Sequence, residues 1–84
     1  MAKGTIRFWA AAKAAAGTGE EPYDAVTLAE ALAAASGRRD GEFARVVERS
    51  SFLVNGEPVG KREHTEVELP EGGVVEVLPP FAGG

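Results

Sequence analysis

Residues 27–37 (TLAEALAAASG) restrict the possible folds of this chain more than any other segment. Thr27 and Glu30 have the spacing of a capping box, in which side chains satisfy free backbone N–H groups at the start of a helix. Gly37 is expected to take the left-handed conformation that follows a helix. The apolar side chains recur at helical spacing and form one stripe, made of Leu28, Ala31, Leu32 and Ala35. A chain of 84 residues is long enough for one core, so this stripe must pack against the strand-like segments around it.

The amino-terminal half contains further short elements. Residues 5–10 (TIRFWA) alternate with a period of two, which predicts a strand with one buried face. The Ala-rich residues 11–17 predict a helix of at most two turns. Residues 20–26 (EEPYDAV) predict a weak strand at a sheet edge, because Pro22 cannot donate a ladder hydrogen bond. Residues 40–50 (DGEFARVVERS) predict a second, shorter helix with an Asp at its N-cap.

The carboxyl-terminal half predicts three more strands. Residues 51–59 (SFLVNGEPV) read as a hairpin, because the central Asn-Gly pair tolerates the positive φ values of a type I′ turn. Pro58 indicates that the second strand of this hairpin lies at the outside of the sheet. Residues 65–78 contain a Pro/Gly turn followed by an alternating strand, with Val75 and Val77 facing the core.

This order of elements predicts an α+β fold: a mixed sheet of about five strands with one main helix packed across it. The last strand is expected to lie parallel to the first, so that the chain leaves the sheet from its middle. Residues 1–78 then form the domain, and residues 79–84 form a projecting tail.

Composition excludes several kinds of site. The 13 acidic residues outnumber the 9 basic ones and give a net charge of −4, which argues against nucleic acid as a partner. The chain has no cysteine and a single histidine, His64, so we expect neither a metal site nor a Cys nucleophile, and we expect His64 to be a solvated loop residue. Without an apolar run long enough to span a membrane or a signal-peptide pattern, the expected location is the cytoplasm.

The tail has unusual chemistry. Residues 77–84 (VLPPFAGG) contain no charged side chain, so the α-carboxylate is their only ionised group. Pro79 and Pro80 end the strand and hold the exit extended. Phe81 stands where it can anchor in an apolar pocket of a partner. The last residues are slim enough to enter a channel shaped for bare backbone: Ala82, Gly83 and Gly84.

Alternation also predicts an apolar patch on the open face of the sheet. Trp9, Leu53 and Leu78 each lie opposite core-facing neighbours. If no helix or loop covers them, they lead toward Phe81 and form a docking surface beside the tail.

The segments 53–59 (LVNGEPV) and 72–84 (GGVVEVLPPFAGG), with the order of elements before them, resemble the MoaD/ThiS family of ubiquitin-like sulfur carriers. The resemblance implies the β-grasp fold. It also implies that the carboxylate of Gly84 is adenylated by an E1-like enzyme and becomes a thiocarboxylate that donates sulfur. The ending is most similar to that of the small subunit of molybdopterin synthase, although Phe81 stands where a smaller aliphatic residue is more usual.

On this resemblance the chain is a carrier and co-substrate without an active site of its own, and it forms part of a sulfurtransferase complex. It binds no cofactor, since the activating partner uses the ATP and magnesium. Its expected partners are the adenylating enzyme, a sulfur donor and a sulfur-acceptor enzyme such as the large subunit of molybdopterin synthase.

Three alternatives stay open. The chain can carry sulfur for thiamine, cysteine or another metabolite. It can be a ubiquitin-like modifier that is joined to protein lysines through Gly84. It can also be a binding module whose tail has no chemistry, since a fold alone does not fix function.

Overall fold

The computed structural model describes residues 1–80, which form a mixed five-stranded sheet with helices on one face. The strand order is β2-β1-β5-β3-β4. The strands are β1 (Ala2–Phe8), β2 (Glu20–Ala25), β3 (Ser51–Val54), β4 (Glu57–Pro58) and β5 (Val74–Leu78). The helices are α1 (Ala10–Ala16), α2 (Leu28–Gly37) and α3 (Gly41–Glu48), with a 3-10 turn at His64–Glu66. The predicted α+β architecture is therefore confirmed.

The first strand begins and ends earlier than its sequence pattern predicted. It starts at Ala2 and ends at Phe8, and Trp9 is the N-cap of α1. The cause is local: Ala10 has a φ of 50°, which turns the chain out of the strand. The short helix then stops at Gly17, whose φ of 79° gives the left-handed C-cap.

The main helix has the predicted start but not the predicted end. The Glu30 N–H donates to Thr27 Oγ1 at 3.2 Å, as in a capping box. The left-handed glycine expected at position 37 was wrong, because Gly37 is the last helical residue and the C-cap is Arg38, with a φ of −93°. The chain turns there without a positive φ, since the Arg39 N–H bonds to the Ser36 carbonyl at 3.0 Å.

The hairpin and the last strand follow their patterns. Asn55 and Gly56 have φ values of 50° and 82°, as a type I′ turn requires. β5 lies between β1, which it joins in parallel, and β3, which it joins antiparallel. Val75 and Val77 are fully buried. The core also includes the α2 stripe and Phe8, Phe43 and Phe52.

His64 does not match its expected solvated position. Its side chain is half-buried in the 3-10 turn, and its ring meets Phe52 edge to face at 5.0 Å between centroids. An imidazole can pack as an apolar ring on one side while its nitrogens reach water, which a charged sequence neighbourhood does not reveal.

Candidate docking face and tail root

The tail starts from the centre of the sheet. The backbone N–H groups of Thr5 and Trp9 donate to Gly73 and Val77 at 3.0 and 3.2 Å, which ties β1 along the length of β5. After β5, Pro79 is buried and Pro80 is exposed, so the chain leaves the domain between these two prolines. Phe81, Ala82, Gly83 and Gly84, which carry the predicted chemistry, lie outside the described residues.

The open face of the sheet is built by alternation. In β5, Val75 and Val77 face the helices, so Glu76 and Leu78 face the opposite side. The register places Arg7 of β1 and Leu53 of β3 on either side of Glu76. This face therefore carries a row of charged and apolar side chains across its middle.

Trp9 stands at the corner of this face, next to the end of β5. Its side chain is 46% exposed, and its indole N–H donates to the Glu76 carboxylate at 3.1 Å. The turn at Ala10 and the bond from Trp9 N–H to Val77 fix the backbone on both sides of the indole. A large aromatic ring that is exposed but held in one orientation has the properties of an interface anchor.

The three predicted patch residues lie on or beside three neighbouring strands, β1, β5 and β3. β1 and β5 run in parallel register up to Phe8 and Val77, and Trp9 and Leu78 are the residues that follow this last pair. Leu53 is paired with Glu76 rather than Leu78. Leu53 and Leu78 are both half-buried, so Trp9 is the most exposed member of the patch.

Sequence reasoning missed the charges within this patch. Arg7 and Glu76 share the open face with Leu78 and are register partners. The same alternation that selected the apolar residues would have placed both of them there. The face is therefore amphipathic, which suits a surface that must stay in water when it is not bound.

Within residues 1–80 no three His, Asp or Glu side chains are grouped so as to hold a metal ion. None of the helices in that same range is long and apolar enough to cross a membrane.

This arrangement of a mixed sheet, one crossing helix and a central carboxyl-terminal strand defines a ubiquitin-like protein of the β-grasp fold. The profile of the ThiS family matches residues 6–84. The chain belongs to the ThiS family. Among curated proteins, no sequence matches the chain.

Solved structures agree on the fold. The solution structure of small archaeal modifier protein 1 from Methanosarcina acetivorans has a TM-score of 0.83 and 23% identity, over 100% of this chain and 98% of that one. A Pyrococcus furiosus protein described as a molybdopterin converting factor subunit 1 has a TM-score of 0.78 and 23% identity, over 96% and 100% of the two chains. In Helicobacter pylori, subunit 1 of the molybdopterin-converting factor was solved in complex with subunit 2; the match has a TM-score of 0.70 and 20% identity, over 98% and 99%.

Proposed function

We propose that this protein is a sulfur carrier whose Gly84 carboxylate is activated and converted to a thiocarboxylate. The observation that carries the proposal is the match to the ThiS family, which extends through the tail to Gly84. The proposal requires Gly84 to carry the free α-carboxylate. It also places the protein in the cytoplasm with the ATP-using enzyme that acts on it.

The proposed chemistry has two steps. A Gly84 carboxylate oxygen attacks the α-phosphorus of ATP, so that pyrophosphate leaves and an acyl adenylate forms. Hydrosulfide released by the donor then adds to the acyl carbon, and AMP leaves with the electron pair of the broken C–O bond. Loss of the S–H proton to solvent leaves the thiocarboxylate. The partner supplies ATP, magnesium and the groups that stabilise the developing negative charge.

The role of this chain is to present the tail. The open face binds the activating enzyme through Trp9, Leu78 and Leu53, and the tail continues from Pro79 and Pro80. Phe81 anchors the tail in a pocket of the enzyme, and Ala82 and Gly83 pass through a channel too narrow for larger side chains. Gly84 then lies at the reacting phosphate.

We propose molybdenum-cofactor synthesis as the pathway. Two structural neighbours are described as first subunits of molybdopterin-converting factors, and one of them was solved with its second subunit. By this reading the acceptor of the sulfur is a large subunit of molybdopterin synthase that binds the same tail. The chain is then the small subunit of that complex.

A second candidate function has its own observation. The Methanosarcina acetivorans neighbour is named a small archaeal modifier protein, and its fold matches over the full length of this chain. In a modifier the activated Gly84 carbonyl is attacked by a lysine amine of another protein, with loss of AMP. Activation is common to both functions, and only the nucleophile differs.

Intact-mass spectrometry of the protein isolated from its own cells tests the proposal. A carrier shows a mass raised by the difference between one sulfur and one oxygen atom, and alkylation of the thioacid shifts that species further. A population present only as isopeptide conjugates supports the modifier. An unmodified mass, together with no ATP-dependent pyrophosphate release with any adenylating enzyme of the same cell, contradicts both.

A further inference from the structure

The Arg39 side chain lies in the centre of the helical layer, where it contacts two aromatic rings. Its guanidinium carbon is 4.8 Å from the centroid of Phe43 and 5.5 Å from that of Phe8. These rings meet edge to face at 5.6 Å between centroids. Phe8 is the residue directly before Trp9. Arg39 therefore contacts the chain next to the corner of the open face at which Trp9 stands.

The same guanidinium makes hydrogen bonds to three other elements. Its Nε donates to the carbonyl of Ala16 at 3.1 Å, and its Nη1 donates to the carbonyl of Ala35 at 2.9 Å. Its Nη2 donates to the carboxylate of Glu21. The side chain is 14% exposed, so these bonds are largely screened from water. The planar guanidinium fork carries its donors on three separate nitrogens in fixed directions, so it can reach acceptors on three elements while it stacks on a ring; the compact ammonium of a lysine cannot reproduce this geometry.

The segment between Trp9 and Ala16 needs such support. α1 has seven residues, and helices this short are marginal on their own. No side chain among the described residues caps its amino end, and its first residue, Ala10, has a φ of 50°. Its carboxyl end is held by the Arg39 bond to Ala16. Arg39 therefore contacts this segment at both ends, through Phe8 and through Ala16.

We propose that Arg39 is a positioning residue for the docking face. Arg39 holds Phe8 and α1 on the helical side of the sheet. It thereby keeps the Trp9 indole in one orientation against Glu76, near the end of β5. This inference rests on the proposed function only where it says that the activating enzyme binds the open face around Trp9. Its structural part concerns Trp9 and α1 alone.

Arg39→Met tests the proposal, because Met keeps an apolar side chain between the rings and removes every hydrogen bond and the charge. We expect faster amide exchange in residues 10–17 and a changed emission and lower anisotropy of Trp9, the single tryptophan of the chain, well below the unfolding temperature. In the activation reaction we expect KM for this protein to rise about fivefold, with kcat unchanged, as for the loss of a docking contact. Arg39→Lys should behave similarly, because charge alone does not replace the fork. It also carries the test if the Met variant does not fold.

Leu69→Ala is the matched control. Leu69 is buried, and its N–H bonds to Val26 just before α2, whereas Arg39 follows the other end of that helix. This variant should lower stability without changing Trp9 fluorescence, exchange in residues 10–17 or KM.

Two results overturn the inference. Unchanged fluorescence and exchange in both Arg39 variants would show that Arg39 does not position Trp9. An equal rise in KM for Arg39→Met and Leu69→Ala would show an effect of general stability. If the wild-type protein is not activated by any adenylating enzyme, the proposed function fails, and the fluorescence and exchange measurements still decide whether Arg39 positions Trp9.

Discussion

Gly4 is a residue at which the fold leaves no room for a side chain. A Cβ at this position would clash with the ring of Tyr23 and with the Gly73 carbonyl. Tyr23 is buried across Gly4, and its hydroxyl donates to the Pro70 carbonyl at 2.5 Å. Burial raises the pKa of the Tyr23 hydroxyl, so the group stays protonated and remains a donor. Because Gly4 has no side chain, the Tyr23 ring of β2 can cross β1 and reach the Pro70 carbonyl in the turn before β5.

Gly4→Ala is therefore expected to destabilise the domain, by about 1 to 3 kcal/mol as for other overpacking changes. Gly37→Ala is the control, because the position is helical and a Cβ there meets open space. That control should be neutral or slightly stabilising, since alanine is the better helix former. Chemical denaturation of both variants measures the difference. Equal free energies of unfolding would show that Tyr23 can move aside at little cost.

At the scale of elements, the two edge strands β2 and β4 each contain a proline whose backbone faces away from the neighbouring strand. The Phe8 N–H donates to the Gly19 carbonyl, so Phe8 and Gly19 form a hydrogen-bonded pair of the antiparallel β1–β2 ladder. Because such pairs alternate with pairs that are not hydrogen-bonded, Thr5 and Pro22 form a pair of the second kind, and the backbone of Pro22 faces away from β1. The bond from Val59 N–H to Phe52 places Pro58 outward on β4 in the same way. Each missing N–H thus costs no internal bond and leaves a gap in the exposed edge.

Replacing both edge prolines, as in Pro22→Thr with Pro58→Thr, is expected to promote association through the sheet edges. Threonine restores the missing donor and favours strands. Sedimentation velocity over a range of concentrations should show more association than in the wild type, most clearly in high salt. When two β2 strands pair antiparallel about Pro22, Glu20 of one copy lies opposite Asp24 of the other. The two negative charges repel, and salt screens this repulsion. Pro80→Thr, at an exposed position outside the strands, is the control, and identical sedimentation of all three proteins would contradict the expectation.

The contact between β2 and the end of α2 predicts a pH dependence. Partial burial raises the pKa of Glu21, but hydrogen bonds and charge from Arg39 and Arg38 outweigh it, so its pKa lies below the ordinary value of 4.5. Because the folded-state pKa is lowered, ionised Glu21 stabilises the fold above its ordinary pKa, and this contribution is lost as the pH falls through the folded-state value. Glu21→Gln should therefore be less stable than the wild type near neutral pH, with a difference that shrinks in acid. Urea unfolding at several pH values measures this, and a constant difference would contradict it.

These elements also show what a sequence can and cannot predict. The hairpin at Asn55, the caps at Thr27 and Asp40 and the edge position of Pro22 follow from local chemistry, and the structure confirms them. The corner at Trp9 does not, because an alanine rarely adopts a positive φ, so nothing in its residue type indicates the φ of 50° at Ala10. The role of Arg39 was also hidden, since its partners lie 23 and 18 residues earlier in the chain.

At the scale of the whole molecule, the residues that stabilise the fold are different from the residue proposed to react. The core and every ladder bond described above lie within residues 1–80, whereas the proposed chemistry lies at Gly84. A variant of the tail should therefore affect activation alone, and a core variant that leaves the docking face in place, such as Leu69→Ala, should affect stability alone.

Gly84→Ala, or one residue added after Gly84, is expected to abolish thiocarboxylate formation and leave the melting temperature unchanged. The extension moves the reacting carbonyl by about 3.3 to 3.6 Å, beyond what a near-attack geometry tolerates. Pyrophosphate release with the activating enzyme and a melting curve test each variant, with Gly37→Ala as a glycine control that should be activated normally. Wild-type turnover by either tail variant would remove Gly84 from the proposed reaction.

The parallel pairing of β1 with β5 has a mechanical consequence. A pull on the tail, resisted at the amino terminus, acts on opposite ends of two neighbouring strands. The bonds from Thr5 to Gly73 and from Trp9 to Val77 then stretch together in shear, whereas bonds in a hairpin pulled from its open end break one after another. On the proposed function, a partner that draws the tail into its channel loads the sheet in shear, the direction in which its central pair of strands resists opening best.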